Sequence, residues 1–291
     1  MSLLSPTAAH VLAHPGEFTR RVLKGFRNNQ GLLLAGAVAY YALLSVVPLL
    51  ILVVIALSHW VDQGELLETL GRYLEWLMPG QSRAVVGELS NFVQHRDVIG
   101  WVLLGTMLFF SSLAFTVLEK AMSVIFLHRI AIRRRHFLLS AVLPYLYILC
   151  VGLGLLVVTL VAGSLQALAD NNIHFLGRQW SLEGVSGVLL YLLGLTGEIF
   201  VVASIYMVMP VGKLSWRHAL IGAVTAALLW EITRHLLVWY FGTLSQVSVV
   251  YGSLTTAIVV LFSLEIAATL LLLGAQVISE YERIERKKDA A

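Results

Sequence analysis

Hydrophobic positions along this chain gather into long runs, at about 31–58, 100–126, 137–163, 185–209, 219–241 and 253–278. A helix needs about 20 apolar residues to cross the hydrocarbon core of a bilayer, so the pattern predicts six membrane-spanning helices. The first two runs exceed that length, which implies tilt, a kink or protruding ends. Pro48 lies inside the first run, where it removes one backbone hydrogen bond and favours a kink. Two segments outside the runs carry amphipathic spacing. In "EFTRRVLKGFRN", Phe18, Val22 and Phe26 stand four residues apart with basic residues between them, which suits a helix on the cytoplasmic membrane surface. The loop 62–98 reads as two amphipathic helices broken at Pro79-Gly80. Such a pair either caps a cavity opening outward or packs inertly, and the residues leave both open.

Composition agrees with the runs. Of 291 residues, 58% are hydrophobic and only 13% charged, against roughly half and a quarter in soluble domains. Fourteen of the twenty basic residues fall in the N-terminal segment, the 128–136 and 210–218 loops and the stretch after Ile278. Only Arg72, Arg83, Arg96 and Arg178 fall on the other side. The positive-inside rule then puts both termini in the cytoplasm. The expected division is a cytoplasmic segment 1–30, a six-helix domain 31–278 with an outer helical loop at 62–98, and a cytoplasmic tail 279–291. The first run is far longer than the roughly 7–15 apolar residues of a signal peptide, so it is expected to persist as a helix. The single cysteine, Cys150, excludes an intramolecular disulfide.

Charge inside the runs is the chemical feature. Glu198, Glu231 and Glu265 fall near the centres of the last three, with Arg234 one turn from Glu231. At about 2.5–3.5 kcal/mol each, four such groups facing lipid cost on the order of 10–14 kcal/mol, so they are expected to face one another or water. Glu231, Arg234 and His235 share one helix face, Tyr191 and Gly194 precede Glu198 by two turns and one, and Glu265 shares a stripe with Thr269 and Gln276. If Arg234 neutralises Glu231, two acids remain, so one stays protonated or a cation binds. The expectation is a polar site at mid-membrane depth, responsive to protons or a monovalent cation, with Glu119, His235, Thr269, Gln276, Tyr40 and Pro48 as contributors. The bland alternative is an ion pair that only fixes helix packing. Small pairs such as Ala35/Ala39 and Gly222/Ala226 have the spacing of close helix contacts.

Soluble chemistry is sparse. No zinc-protease motif, paired-cysteine spacing, phosphate-binding glycine loop or nucleophile elbow appears. His10 and His14 are four apart in a terminal segment, and "RIAIRRRHF" reads as a topology determinant beside anionic lipid. Membrane lipids are the expected partners; no cofactor, resident metal, nucleic acid or enzymatic activity is expected.

The stretches "AGAVAYYALLSVVPLLIL", "GAVTAALLWEITRHLLVWY", "VVYGSLTTAIVVLF" and "LLLLGAQV" resemble the YihY/BrkB family of bacterial inner-membrane proteins, over about residues 20–285. The resemblance implies a six-helix protein of the bacterial cytoplasmic membrane whose activity is poorly defined, with labels such as virulence factor, serum resistance or transporter. Some members are also called ribonuclease BN, a label that nothing in these residues supports. By position, Tyr40, Ser45 and Pro48 fall on the family's first motif, and Tyr251, Gly252, Leu273, Gly274 and Ala275 on its last. Two departures are Gln276, where members usually carry Glu, and Glu265, where aromatic residues are common. The fold is expected to be all-α. The function expected is transport or permeation of a small solute or lipid; the alternative is a structural or envelope-assembly protein.

Overall fold

The computed structural model describes residues 6–57, 62–77, 80–94, 101–126, 147, 154, 174–175, 178–179, 183–210, 214–243 and 255–289. Its helices follow the apolar runs. α1 (Pro6–Ala13) and α2 (Pro15–Asn28) precede α3 (Gly31–Leu57), which has Pro48 inside it. α4 (Gln63–Leu77) and α5 (Ser82–Gln94) form the helical pair expected between the first two spans. α6 (Trp101–Ile125), α7 (Glu183–Val208), α8 (Trp216–Thr243) and α9 (Thr255–Asp289) complete the helices. A two-residue antiparallel rung pairs His174–Phe175 with Arg178–Gln179.

Five helices among the described residues are long and apolar enough to cross a membrane. Their candidate spans are Gly31–Leu52, Gly105–Ile125, Tyr191–Val208, Trp216–Tyr240 and Ala257–Arg286. The expected third span, 137–163, lies outside the described residues apart from Tyr147 and Gly154. Tyr147 donates to the Val201 carbonyl at 3.2 Å and shares a 2.7 Å hydrogen bond with Ser204, both on α7. Leu32, Leu33, Phe109, Phe200, Leu228 and Ile232 are exposed on the flanks of these helices. Apolar surface of this extent is what acyl chains cover.

α3 packs on α6 and α9, and α8 packs on α7 and α9. Small residues let these helices meet. α8 and α9 touch at Gly222 and Gly274, where a Cβ built at Gly274 falls 2.9 Å from the Gly222 carbonyl oxygen and 3.1 Å from Ala226 Cβ. Tyr206 of α7 closes over the same point and donates to the Leu271 carbonyl at 2.7 Å. The principal core joins Ala35 and Val38, Met122 and Phe126, Tyr206, Ala219 and Ala223, and Leu272 and Ile278. Between α3 and α6 the buried Ser45 hydroxyl donates to the Phe110 carbonyl at 2.7 Å and accepts the Ala114 N–H at 3.2 Å.

Two boundaries differ from expectation. The apolar stripe of α2 is not left for a lipid surface, because Val22 and Phe26 are buried and α2 packs along α9. Nor does the chain leave its helix at 279, where a tail is expected. α9 continues to Asp289, and Ser279, Glu280, Tyr281, Glu282 and Ile284 are buried. α2 shields one side of the end of α9, and α6 and α8 meet it at Ser279–Ile125 and at Glu282–His218.

Candidate functional site

α7 and α8 lie side by side, and their facing residues bring three of the expected groups together. Arg234 stands one turn beyond Glu231 and grips it with two donors, Nη2 at 2.8 Å from Oε1 and Nε at 3.2 Å from Oε2. Such forked pairing is the strong form of an Arg–carboxylate contact. From α7, the Tyr191 hydroxyl donates to the same Oε1 at 2.9 Å. Glu198, two turns along α7 from Tyr191 and half-buried, is within electrostatic reach of both Glu231 and Arg234. The pair is largely shielded, with side chains 16% and 26% exposed. His235 is more open and its Nδ1 lies 2.8 Å from the Glu231 carbonyl oxygen, so its ring is tied to the backbone of α8.

The arrangement holds one carboxylate, Glu231, on one guanidinium, with a second, Glu198, within electrostatic reach on the neighbouring helix. Arg234 and Tyr191 give three hydrogen bonds to Glu231, and among the described residues Glu198 forms no salt bridge. Glu198 thus stands beside a scaffold fixed by three hydrogen bonds.

The other expected members sit elsewhere. Glu265 turns toward α3, where its Oε1 is 3.8 Å from the place a Cβ would take on Gly36. Thr269 is half-buried one turn further along α9. Gln276 belongs to a separate buried group at the far end of α9. It accepts from Asn29 Nδ2 at 2.9 Å and donates to Glu280 at 3.2 Å, while Arg283 pairs with Glu280 at 3.1 Å. Gly25 of α2 makes this contact possible, because any Cβ there would strike Gln276 and Glu280. On the same end of α9, His218 lies between Glu282 at 3.3 Å and Glu285 at 3.0 Å. Glu119 is half-buried near the end of α6, with its carbonyl taken by Ser123 at 2.8 Å. Tyr40 is exposed and stacks edge-on with Tyr41 at 5.3 Å, and Pro48 lies two turns beyond it in α3. Outside the spans, Arg21 beside Glu17 at 2.6 Å holds that carboxyl below the usual carboxylate range.

Tyr191 is the member that residue pattern alone did not assign to the site. Its signal was the seven-residue spacing to Glu198, which puts both on one face of α7.

Comparison with known proteins agrees with a membrane assignment. A family model described as virulence factor BrkB matches residues 22–291. The chain is similar to a UPF0761 membrane protein of Vibrio parahaemolyticus, 25% identical over 89% of this chain and 80% of that protein. A UPF0761 membrane protein of Aggregatibacter aphrophilus is 24% identical, over 90% of this chain and 91% of its own length. One from Rhodospirillum centenum is 27% identical over 89% of this chain, which spans only 56% of that protein. No solved structure matches the chain.

Proposed function

Because the chain belongs to the virulence factor BrkB family of membrane proteins, we propose that it is a transporter or permease of a small solute or lipid in the bacterial cytoplasmic membrane. In this proposal six helices cross the membrane and both termini are cytoplasmic. The Glu198, Glu231 and Arg234 group with Tyr191 forms its polar site. The observation that carries it is the Glu231–Arg234 pair held to Tyr191 between two membrane helices, with Glu198 on the same face of α7 as Tyr191. Ionisable groups at such depth are costly and commonly mark a solute or ion path.

The test is flux through purified protein in liposomes carrying a pH-sensitive dye, with protons driven by an imposed potential and then with sodium or potassium gradients. Glu198→Gln should change the flux about tenfold or more with the protein still folded, as expected of a group in the path. Unchanged flux in that variant removes Glu198 from any path.

A second function, a packing lock in a structural or envelope-assembly protein, is favoured by the forked Glu231–Arg234 pair itself. It predicts that the double replacement Glu231→Gln with Arg234→Gln leaves activity in the cell intact, because two neutral amides can pair as well.

A further inference from the structure

The α4–α5 hairpin does not simply cover the ends of the spans. Its root and its tip half touch α3 at different heights. At the root, Leu67 and Leu89 pack in one cluster with Ile51 and Val54 of α3 and Met107 of α6. Toward the tip, Leu74 shares a second cluster with Ala39 of α3 and with Val260 and Leu264 of α9, with Ala42 and Leu43 packed against it, while Leu70, Val85 and Val86 pack against both clusters. Ala39 and Ile51 are twelve residues apart in α3, about 18 Å of helix. Ala39, Ala42 and Leu43 straddle the middle of the span Gly31–Leu52, and Val260 and Leu264 lie in the first two turns of the span Ala257–Arg286.

We infer that α4 and α5 form a re-entrant hairpin, entering the membrane from the α3 C-terminal side and turning back within it. Glu75 of α4 accepts the Gly80 N–H at 2.7 Å and also the Ser82 hydroxyl, which ties the start of α5 to the end of α4. Gly80 has φ of 79°, the left-handed conformation that favours glycine. The outward faces of the hairpin stay charged all the way down, with Glu68, Arg72 and Glu75 exposed on α4 and Arg83 and Glu88 on α5. Lipid solvates none of these groups, and non-helical backbone at membrane depth occurs only inside protein or beside water. The charged faces therefore border a water-filled vestibule that opens on the side of the α3 C-terminus. Glu265, exposed and next in sequence to the Leu264 contact, stands at the level the tip approaches. The vestibule needs no transport activity, and so stands apart from the proposed function.

The test uses the full chain with Cys150→Ser, which removes the only thiol. Single cysteines replace Asp62 at the root and Arg83 at the tip, with Gln81→Cys as a second tip position. A charged, membrane-impermeant thiol reagent is applied from each face in turn. Both tip positions should label to completion from the face that labels position 62, roughly tenfold more slowly than position 62 because the path is confined. In a Leu74→Cys, Val260→Cys pair a short bis-maleimide should join the two helices. Tip labelling as fast as the root with no cross-link puts the hairpin on the surface and overturns the inference. A tip that reacts from neither face, or only from the opposite one, overturns the vestibule. Liposome flux is not read, so the transport proposal survives or fails separately.

Discussion

Replacing Gly274 with alanine puts a methyl group where three neighbours already stand. The new Cβ lies 2.9 Å from the Gly222 carbonyl oxygen and 3.1 Å from Ala226 Cβ, and collides with the Tyr206 hydroxyl. A backbone carbonyl cannot rotate aside within a helix, so α8 and α9 must part. Overpacking of this kind costs about 1–3 kcal/mol. Tyr206 is fully buried and donates to Leu271 at 2.7 Å, so displacing it adds about 1–3 kcal/mol for a buried donor left unpaired. The combined loss is about 2–6 kcal/mol, and the low end is already about 30-fold in the folding equilibrium. The assay is unfolding of purified protein in mixed micelles, read by near-UV circular dichroism. Gly87→Ala in α5 is the control, because a Cβ there meets nothing within 4 Å. An alanine for glycine in an open helix position gains up to about 1 kcal/mol. The two substitutions should therefore move stability in opposite directions. If Gly274→Ala is as stable as Gly87→Ala, the helices do not approach as closely as described and the reasoning fails. Adding Tyr206→Phe to Gly274→Ala removes the colliding oxygen, and should recover part of the loss.

Arg234→Gln alone should destabilise the protein more than the double replacement with Glu231→Gln, because the single change strands a shielded carboxylate; equal losses in the unfolding assay would deny the coupling. Ser45→Ala should cost about 1–3 kcal/mol through its two lost hydrogen bonds between α3 and α6, and a neutral result would show that the contact is not formed in the membrane. Phe26→Ala should free α2 from α9 and speed proteolysis at the basic residues of α2, with α3 onward left intact; unchanged cleavage would mean that α2 is held by something else. Glu198→Gln and Glu265→Gln should combine additively within about 0.5 kcal/mol, as independent sites do, and strong coupling between them would show that they share one chamber.

Much of the fold was legible because membrane helices announce themselves by length and hydropathy. All five candidate spans overlap predicted runs, the last of them running past its run to Arg286, and the pair α4–α5 breaks near the predicted Pro79-Gly80. The depth of that pair was not legible, since amphipathic spacing says which face is apolar and not what it is pressed against. Leu74 reads the same beside a bilayer surface as beside Leu264. The fate of α2 was hidden for the same reason: Val22 and Phe26 fit a lipid surface or a protein groove equally well, and only the close approach at Gly25 selects α9. Gln276 was grouped with Glu265 by shared helical stripe, yet it lies about 16 Å further along α9, where Asn29 reaches it.

The separation of Glu265 from Glu231 follows from helical phase. Nine residues separate Gly222 from Glu231 in α8, and nine separate Glu265 from Gly274 in α9. Nine residues make two and a half turns and about 13 Å of rise, so each glutamate sits on the face opposite its own crossing glycine. The two helices run antiparallel, and both glutamates therefore lie at similar height on the same side of the crossing while pointing away from each other. Matched depth along two sequences fixes height but says nothing of direction; the face that carries the small residues sets direction. Glu231 then meets α7, bringing it to Tyr191 and Glu198, while Glu265 meets α3 at Gly36. The close seam of α8 and α9 stands between two polar regions. One is a fixed ion pair with Glu198 beside it, and the other is Glu265 facing α3 at Gly36; under the transport proposal, a solute that meets one does not by that route meet the other.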